Sequence, residues 1–167
     1  MNKKKQMVQQ FQTYISTNRN AHFRLAYSYS RHQEDAWDIV HESIVKALKS
    51  IDKSKYQEAM NSWFYRILVN TSLDFLRRNK KFVQYDQEVI ENKLETVDQY
   101  VDFDLQDALD KLPTEIKTII VLRYFEDMKI TDIAKVLDEN ENTLKTKLYK
   151  GLKLLRIELQ EDSHGSI

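Results

Sequence analysis

Two sets of side chains in this sequence have types and spacings suited to chemistry, and in both the chemistry is binding. The first is Trp63, Arg66, Asn70, Asp74 and Arg77, separated by steps of three and four residues, so a helix carries them on one stripe. A tryptophan heading a stripe of Arg and Asn is what stacking on nucleobases requires. An indole that fills the edge of a core, with Arg packed over it, has the same pattern. Arg77-Arg78-Asn79-Lys80-Lys81 extends the stripe as a cationic cluster compatible with phosphates. The second set lies between Thr131 and Ile157. Winding at about 100° per residue sets Lys145, Thr146, Lys147, Tyr149, Lys150 and Lys153 against the apolar positions Leu144, Leu148, Leu152 and Leu155. Lysines on such a face neutralise phosphates and release counterions. They equally suit a solvated surface.

Catalytic chemistry finds no footing. The chain has no cysteine, which excludes disulfides, thiolate zinc sites and cysteine nucleophiles. His22, His32, His41 and His164 lack metal-ligand spacing and read as surface or boundary histidines. The two glycines, Gly151 and Gly165, are too few for a phosphate-cradling loop or a nucleophile elbow. No catalytic residue, metal site or cofactor is expected, and the chain reads as a non-enzyme.

The elements that must position these residues are helical. Two glycines, one proline and 31% charged residues in 167 favour an all-α chain with few tight turns. Phe11, Tyr14, Ile15, Phe23, Ala26, Tyr27 and Tyr29 mark a helical stretch from about Val8 to Arg31. Gln33-Glu34-Asp35 opens a second helix, its early acids suited to the positive end of the dipole. Ala36, Ile39, Val40, Ile44 and Leu48 are its expected buried stripe, with Asp35, Asp38 and Glu42 lined up on the exposed side. Those acids suit either plain solvation or docking of a basic partner. After a loop over 50–61, Asn61 or Ser62 is expected to cap a helix reaching about Lys81, with Phe64, Leu68 and Phe75 buried.

Helical order returns at Leu105, and Pro113 starts a helix whose stripe is Ile116, Ile119, Ile120 and Tyr124. Ile130, Ile133, Ala134 and Leu137 then give a short amphipathic helix. A polar break at Asp138-Glu139-Asn140-Glu141 follows, and a helix expected to be capped by Asn142 or Thr143. A short helix, a tight break and a helix with a basic face make a helix-turn-helix.

The zero net charge is unevenly spread. Residues 1–81 carry 15 Lys/Arg against 7 Asp/Glu, residues 82–104 carry 1 against 7, and residues 105–167 carry 10 against 12. The expected organisation is therefore two small helical domains, 1–81 and 105–167, joined by a flexible acidic linker over 82–104. No apolar run approaches the roughly 20 residues of a membrane span. Met1–Lys5 is basic but leads into no apolar signal core, so no membrane insertion and a cytoplasmic location are expected.

Taken together, four segments resemble bacterial sigma factors of the extracytoplasmic-function (ECF) group, within the sigma-70 superfamily, over roughly Phe11–Leu159. Gln33 to Ser43, Q-E-D-A-W-D-I-V-H-E-S, is similar to that family's D-A-x-D-x-x-Q-E-x-F helix. Trp63 to Arg78 is similar to W-L-x-x-I-x-x-N-x-x-x-D-x-x-R-R, and Leu109 to Tyr124 to L-x-x-L-P-x-x-x-R-x-x-x-x-L-R-Y. Ile133 to Leu148 resembles I-A-x-x-L-G-x-S-x-G-T-V-K-S-R-L. His41, Ile44, Lys117, Asp138 and Lys147 depart from these patterns. Asp138 replaces a turn glycine but tolerates the left-handed conformation better than most residues. Lys147 replaces an arginine and lacks its fork geometry.

The resemblance implies a protein that binds core RNA polymerase and confers promoter choice in a cell-envelope stress response, under an anti-sigma factor. Asp35, Asp38, Ile39 and Glu42 are then expected at the polymerase. Trp63, Arg66, Asn70, Arg77 and Arg78 are expected at the downstream (−10) element, where a flipped base would enter a pocket in the 50–61 loop. Thr143, Lys145, Thr146, Lys147 and Lys150 are expected at the upstream (−35) element. A free-standing helix-turn-helix regulator is the alternative that the basic helix alone would allow.

Overall fold

A computed structural model describes residues 2–52, 59–79 and 103–165, and no strand occurs among them. The chain divides into two compact units, Met1–Leu94 and Glu95–Ile167. The stretch expected as a linker, 82–104, lies outside the described residues except for Phe103 and Asp104, which already belong to a helix. No helix among the described residues is long and apolar enough to cross a membrane.

The first unit contains α1 (Lys3–Thr17), α2 (Arg19–Ser30), α3 (Gln33–Ser50) and α4 (Met60–Asn79). The helical stretch expected to run unbroken to Arg31 divides at Asn18. There the side-chain amide and the backbone N–H both donate to the Tyr14 carbonyl, at 2.9 and 3.0 Å. Short polar side chains that bond the local backbone compete with helix continuation, and Thr17-Asn18-Arg19-Asn20 concentrates them. Arg31, in the left-handed region at φ 58°, ends α2. His32 then caps α3, its Nδ1 accepting from the Asp35 amide at 3.4 Å.

The core of this unit is Leu25, Ala26 and Tyr29 of α2, Ala36, Ile39, Val40 and Ala47 of α3, and Phe64, Tyr65, Leu68 and Val69 of α4. Phe11 brings α1 onto it, 5.5 Å from the Phe64 ring. The expected α3 stripe is partly wrong. Leu48 is 40% exposed, and Ser43 and Ala47 hold the buried face instead. Because α3 packs against both α2 and α4, its inner face needs small residues that let three helices approach.

The second unit contains α5 (Phe103–Asp110), α6 (Thr114–Ile120), α7 (Ile130–Leu137) and α8 (Glu141–Gly165). Leu109, Leu112, Ile116 and Ile120 form its core, with Leu105, Leu148, Leu154 and Leu155 packed on it. Pro113 stands just outside α6 as its N-cap, and its carbonyl accepts from the Lys117 amide at 2.9 Å. Tyr124, expected in the buried stripe, is 55% exposed. The reason is a π-helical turn over Val121–Phe125, closed by the Glu126 amide on the Val121 carbonyl. A wider turn shifts the residues that follow off the α-helical stripe, and Leu122 is buried in Tyr124's stead.

Candidate nucleic-acid interface

α4 carries the first set as the three-and-four spacing requires. Arg66 and Asn70 are exposed one turn apart, and Trp63 is half-buried one turn before them. The indole meets the Phe11 ring edge-on at 5.8 Å. Trp63 therefore combines the two readings of its pattern: one part closes the core and the rest is solvent-accessible.

The helix start differs from expectation. Asn61 and Ser62 lie inside α4 rather than capping it, and the Trp63 amide bonds the Ala59 carbonyl. Asn61 has another task. Its Oδ1 accepts from the Tyr14 hydroxyl at 2.6 Å, and the Tyr14 oxygen lies 3.1 Å from His22 Nε2. With the tyrosine proton used on Asn61, the ring nitrogen must be the donor in the second contact. His22, expected near the surface, is fully buried between Tyr14, Phe64 and Tyr65. Burial lowers its pKa to about 4, and its Nδ1 has no hydrogen-bond partner in the protein. This neutral chain Asn61–Tyr14–His22 fixes the head of α4, beside Trp63.

The two arginines closing α4 are engaged. Arg77 pairs with Asp74 at 2.6 Å and Arg78 with Glu42 of α3 at 3.3 Å. Lys46 lies between the helices, 3.6 Å from Glu42 and 4.0 Å from Asp74, and donates to the Thr71 hydroxyl at 3.2 Å. Of the acidic set on α3, Asp38 is exposed and Asp35 sits 3.5 Å from His32 Nδ1. Ile39 requires correction as a partner-facing residue. It is 1% exposed, held among α2, α3 and α4, so the apolar core already takes it. The loop expected to hold a flipped base lies outside the described residues over 53–58.

In the second unit Asp138 adopts the left-handed conformation, φ 54° and ψ 51°, as the turn requires, and the Glu139 amide closes back on the Ala134 carbonyl. The cap of α8 is Asn140, not Asn142 or Thr143. Its Oδ1 accepts from the Asn142 amide at 2.8 Å, and its carbonyl from the Leu144 amide. Leu144 is fully buried. Thr143, Lys145, Thr146, Tyr149, Lys150 and Lys153 are exposed, with Lys153 over the Tyr149 ring at 5.1 Å. The Thr146 hydroxyl donates to the Asn142 carbonyl.

Lys147 departs from the outer face. Its ammonium is held by Glu115 of α6 at 2.5 Å and by Glu139 of the turn. The hydrogen bonds it donates to Glu115 and Glu139 raise its pKa. The helical wheel does not single it out: from the middle of the Leu144, Leu148, Leu152 and Leu155 stripe, Lys145 lies about 65° away and Lys147 about 95°, so it is the carboxylates of α6 and the turn that draw Lys147 in. Gly151 is a residue that sequence reasoning passed over. It is buried, and a Cβ there would meet Ile116 Cγ2 at 2.4 Å and Ile120 Cδ1 at 3.2 Å.

A helix-turn-helix unit, accompanied by a helical unit with Trp, Arg and Asn on one helix face, matches the helix-turn-helix class of DNA-binding proteins. Comparison with known families narrows the class. The sigma-70 region 2 family matches residues 14–82, and sigma-70 region 4 matches residues 102–155. RNA polymerase sigma factor SigV of Bacillus subtilis is 50% identical over 151 residues, covering 90% of this chain and 91% of that protein. The ECF RNA polymerase sigma factor SigW of Bacillus subtilis is 26% identical, covering 83% of each. The fold is shared with the sigma factor RpoE, solved with the anti-sigma factor NepR from Bartonella quintana. There the TM-score is 0.71 at 20% identity, covering 90% of this chain and 97% of that one. The chain belongs to the RNA polymerase sigma factors of the ECF group.

Proposed function

We propose that this chain binds core RNA polymerase and directs initiation at specific promoters, adding binding and no catalysis of its own. Residues 1–81 serve polymerase and the −10 element, residues 105–167 serve the −35 element, and 82–104 joins them. Asp35, Asp38 and Glu42 offer an acidic face on α3 to a basic polymerase surface. Trp63, Arg66 and Asn70 meet the unpaired strand, the indole by stacking and the other two by hydrogen bonding, with Arg77 and Arg78 on its phosphates. In the second unit α8 enters the major groove, with Thr143, Lys145, Thr146 and Lys150 toward DNA.

The observation that carries this reading is the exposure of Arg66 and Asn70 in line with an indole braced from inside by Phe11. Cytoplasmic action, control by an anti-sigma factor and service in an envelope stress response follow from the same family reading. The sigma factor RpoE, solved with the anti-sigma factor NepR, supports the second of these.

The test is co-purification with core polymerase and run-off transcription from genomic templates. Trp63→Ala and Asn70→Ala should keep polymerase binding yet lose promoter opening by roughly ten- to a hundredfold, the worth of about 1.4–2.8 kcal/mol of stacking or hydrogen bonding. Initiation on no template would overturn the reading.

A further inference from the structure

Lys147 stands on α8 between carboxylates that belong to two other elements. Glu115 lies in the first turn of α6, and Glu139 in the turn joining α7 to α8. The Lys147 side chain is 29% exposed and that of Glu139 20%. Oε1 of Glu139 takes the ammonium, while its Oε2 is buried without a hydrogen-bond partner in the protein. Glu139 also follows Asp138, the left-handed residue on which the turn depends. One ammonium thus ties α6, the turn and α8 together.

The local charge is one cation against two anions. A phosphate approaching Lys147 meets a site already over-neutralised, and gains the lysine only by breaking two charge-assisted hydrogen bonds. Lysine suits the task better than arginine would. A compact ammonium with rotatable donors serves two carboxylates arriving from different elements, where a planar fork favours one.

We propose that Lys147 is a positioning residue, which locks α8 to α6 and to the turn through Glu115 and Glu139 and makes no contact with DNA. This rests on reading α8 as the helix that faces DNA. The exposed lysines left for phosphates on that helix are Lys145, Lys150 and Lys153. Sequence readout passes to the exposed Thr143, Thr146 and Tyr149.

The experiment uses the full chain, alone for thermal unfolding and with core polymerase for promoter binding. Its probe is a duplex fragment carrying a promoter located by mapping transcript 5′ ends after overproduction. Lys147→Met strands two carboxylates, so the thermal midpoint should fall and promoter binding weaken roughly tenfold. Lys147→Met combined with Glu115→Gln and Glu139→Gln removes the whole charge set. That triple variant should recover the midpoint and bind within about twofold of the parent, with an unchanged slope of log affinity against log salt. A triple variant that regains its midpoint but stays weak, with the slope reduced by about 0.9, would show that Lys147 neutralises a phosphate. Relaxed preference at one upstream base pair would likewise overturn the proposal. If the parent binds no fragment, the assignment of α8 to DNA fails, and the thermal recovery still decides whether the lock exists.

Discussion

Gly151→Ala is expected to destabilise the second unit, although alanine is the better helix former. The substitution gains about 1 kcal/mol of helix propensity. Against this, the new Cβ lies 2.4 Å from Ile116 Cγ2, where ordinary carbon contacts need about 3.5–4.0 Å. Ile116 cannot step aside, because a β-branched side chain in a helix has one strongly preferred χ1. α6 and α8 must instead separate by about an ångström, opening the core of Leu109, Leu112, Ile116 and Ile120. Overpacking of this kind costs about 3 kcal/mol at its upper end, leaving a net loss near 2 kcal/mol. For a unit of this size that lowers the midpoint by about 10 °C. Both tryptophans, Trp37 and Trp63, lie in the first unit. Thermal unfolding followed by helical circular dichroism should therefore show an earlier phase, while tryptophan fluorescence keeps its midpoint. A variant that melts later than the parent would refute the close-approach argument.

Two further outcomes are expected. His22 titrates near 4 when folded and near 6.5 when unfolded, so acid favours the unfolded chain. The first unit should lose about 3 kcal/mol as pH falls from 6.5 to 4, and none of this above 6.5. Urea unfolding read by tryptophan fluorescence should show a flatter profile for His22→Phe over that window; parallel profiles would remove His22 as the cause. The Glu42–Arg78 pair is half-exposed, so a double-mutant cycle with Glu42→Gln and Arg78→Met should give a coupling below about 1 kcal/mol. A coupling above about 2 kcal/mol would mean the network is stiffer than its exposure allows.

What was legible in the sequence was local. The three-and-four spacing that put Trp63, Arg66 and Asn70 on one face is a property of α4 alone, and so is the left-handed tolerance of Asp138 at the turn. Several of the misreadings depend on a second element. Leu48 looked buried until two helices proved to flank α3, which favours Ser43 and Ala47. Tyr124 left its stripe because a π-helical turn intervened, and nothing in Val121–Phe125 announces one. His22 is buried because Tyr14, Phe64 and Tyr65 close around it from α1 and α4. Gly151 acquires meaning only when Ile116 and Ile120 arrive. Asn140 supplies the cap because α8 begins at Glu141, two residues before a cap at Asn142 would start it.

The same dependence bears on the proposal that a neutral chain contacts DNA in two places. Many cations in the described residues are matched internally: Lys147 with Glu115 and Glu139, Arg78 and Lys46 with Glu42, Arg77 with Asp74, Lys117 with Asp110. If Lys145, Lys150 and Lys153 each neutralise one phosphate, the affinity of α8 falls only about 40-fold between 50 and 200 mM salt. Six to ten contacts would give about 10³ to 10⁵. So shallow a dependence belongs to a helix that adds little affinity, and three phosphate contacts alone do not hold a unit on duplex DNA at physiological salt. Attachment must then come from polymerase, and the value of the Lys147 lock lies in orientation. A helix that only sets register on an enzyme held elsewhere loses more by rocking than by giving up one phosphate contact.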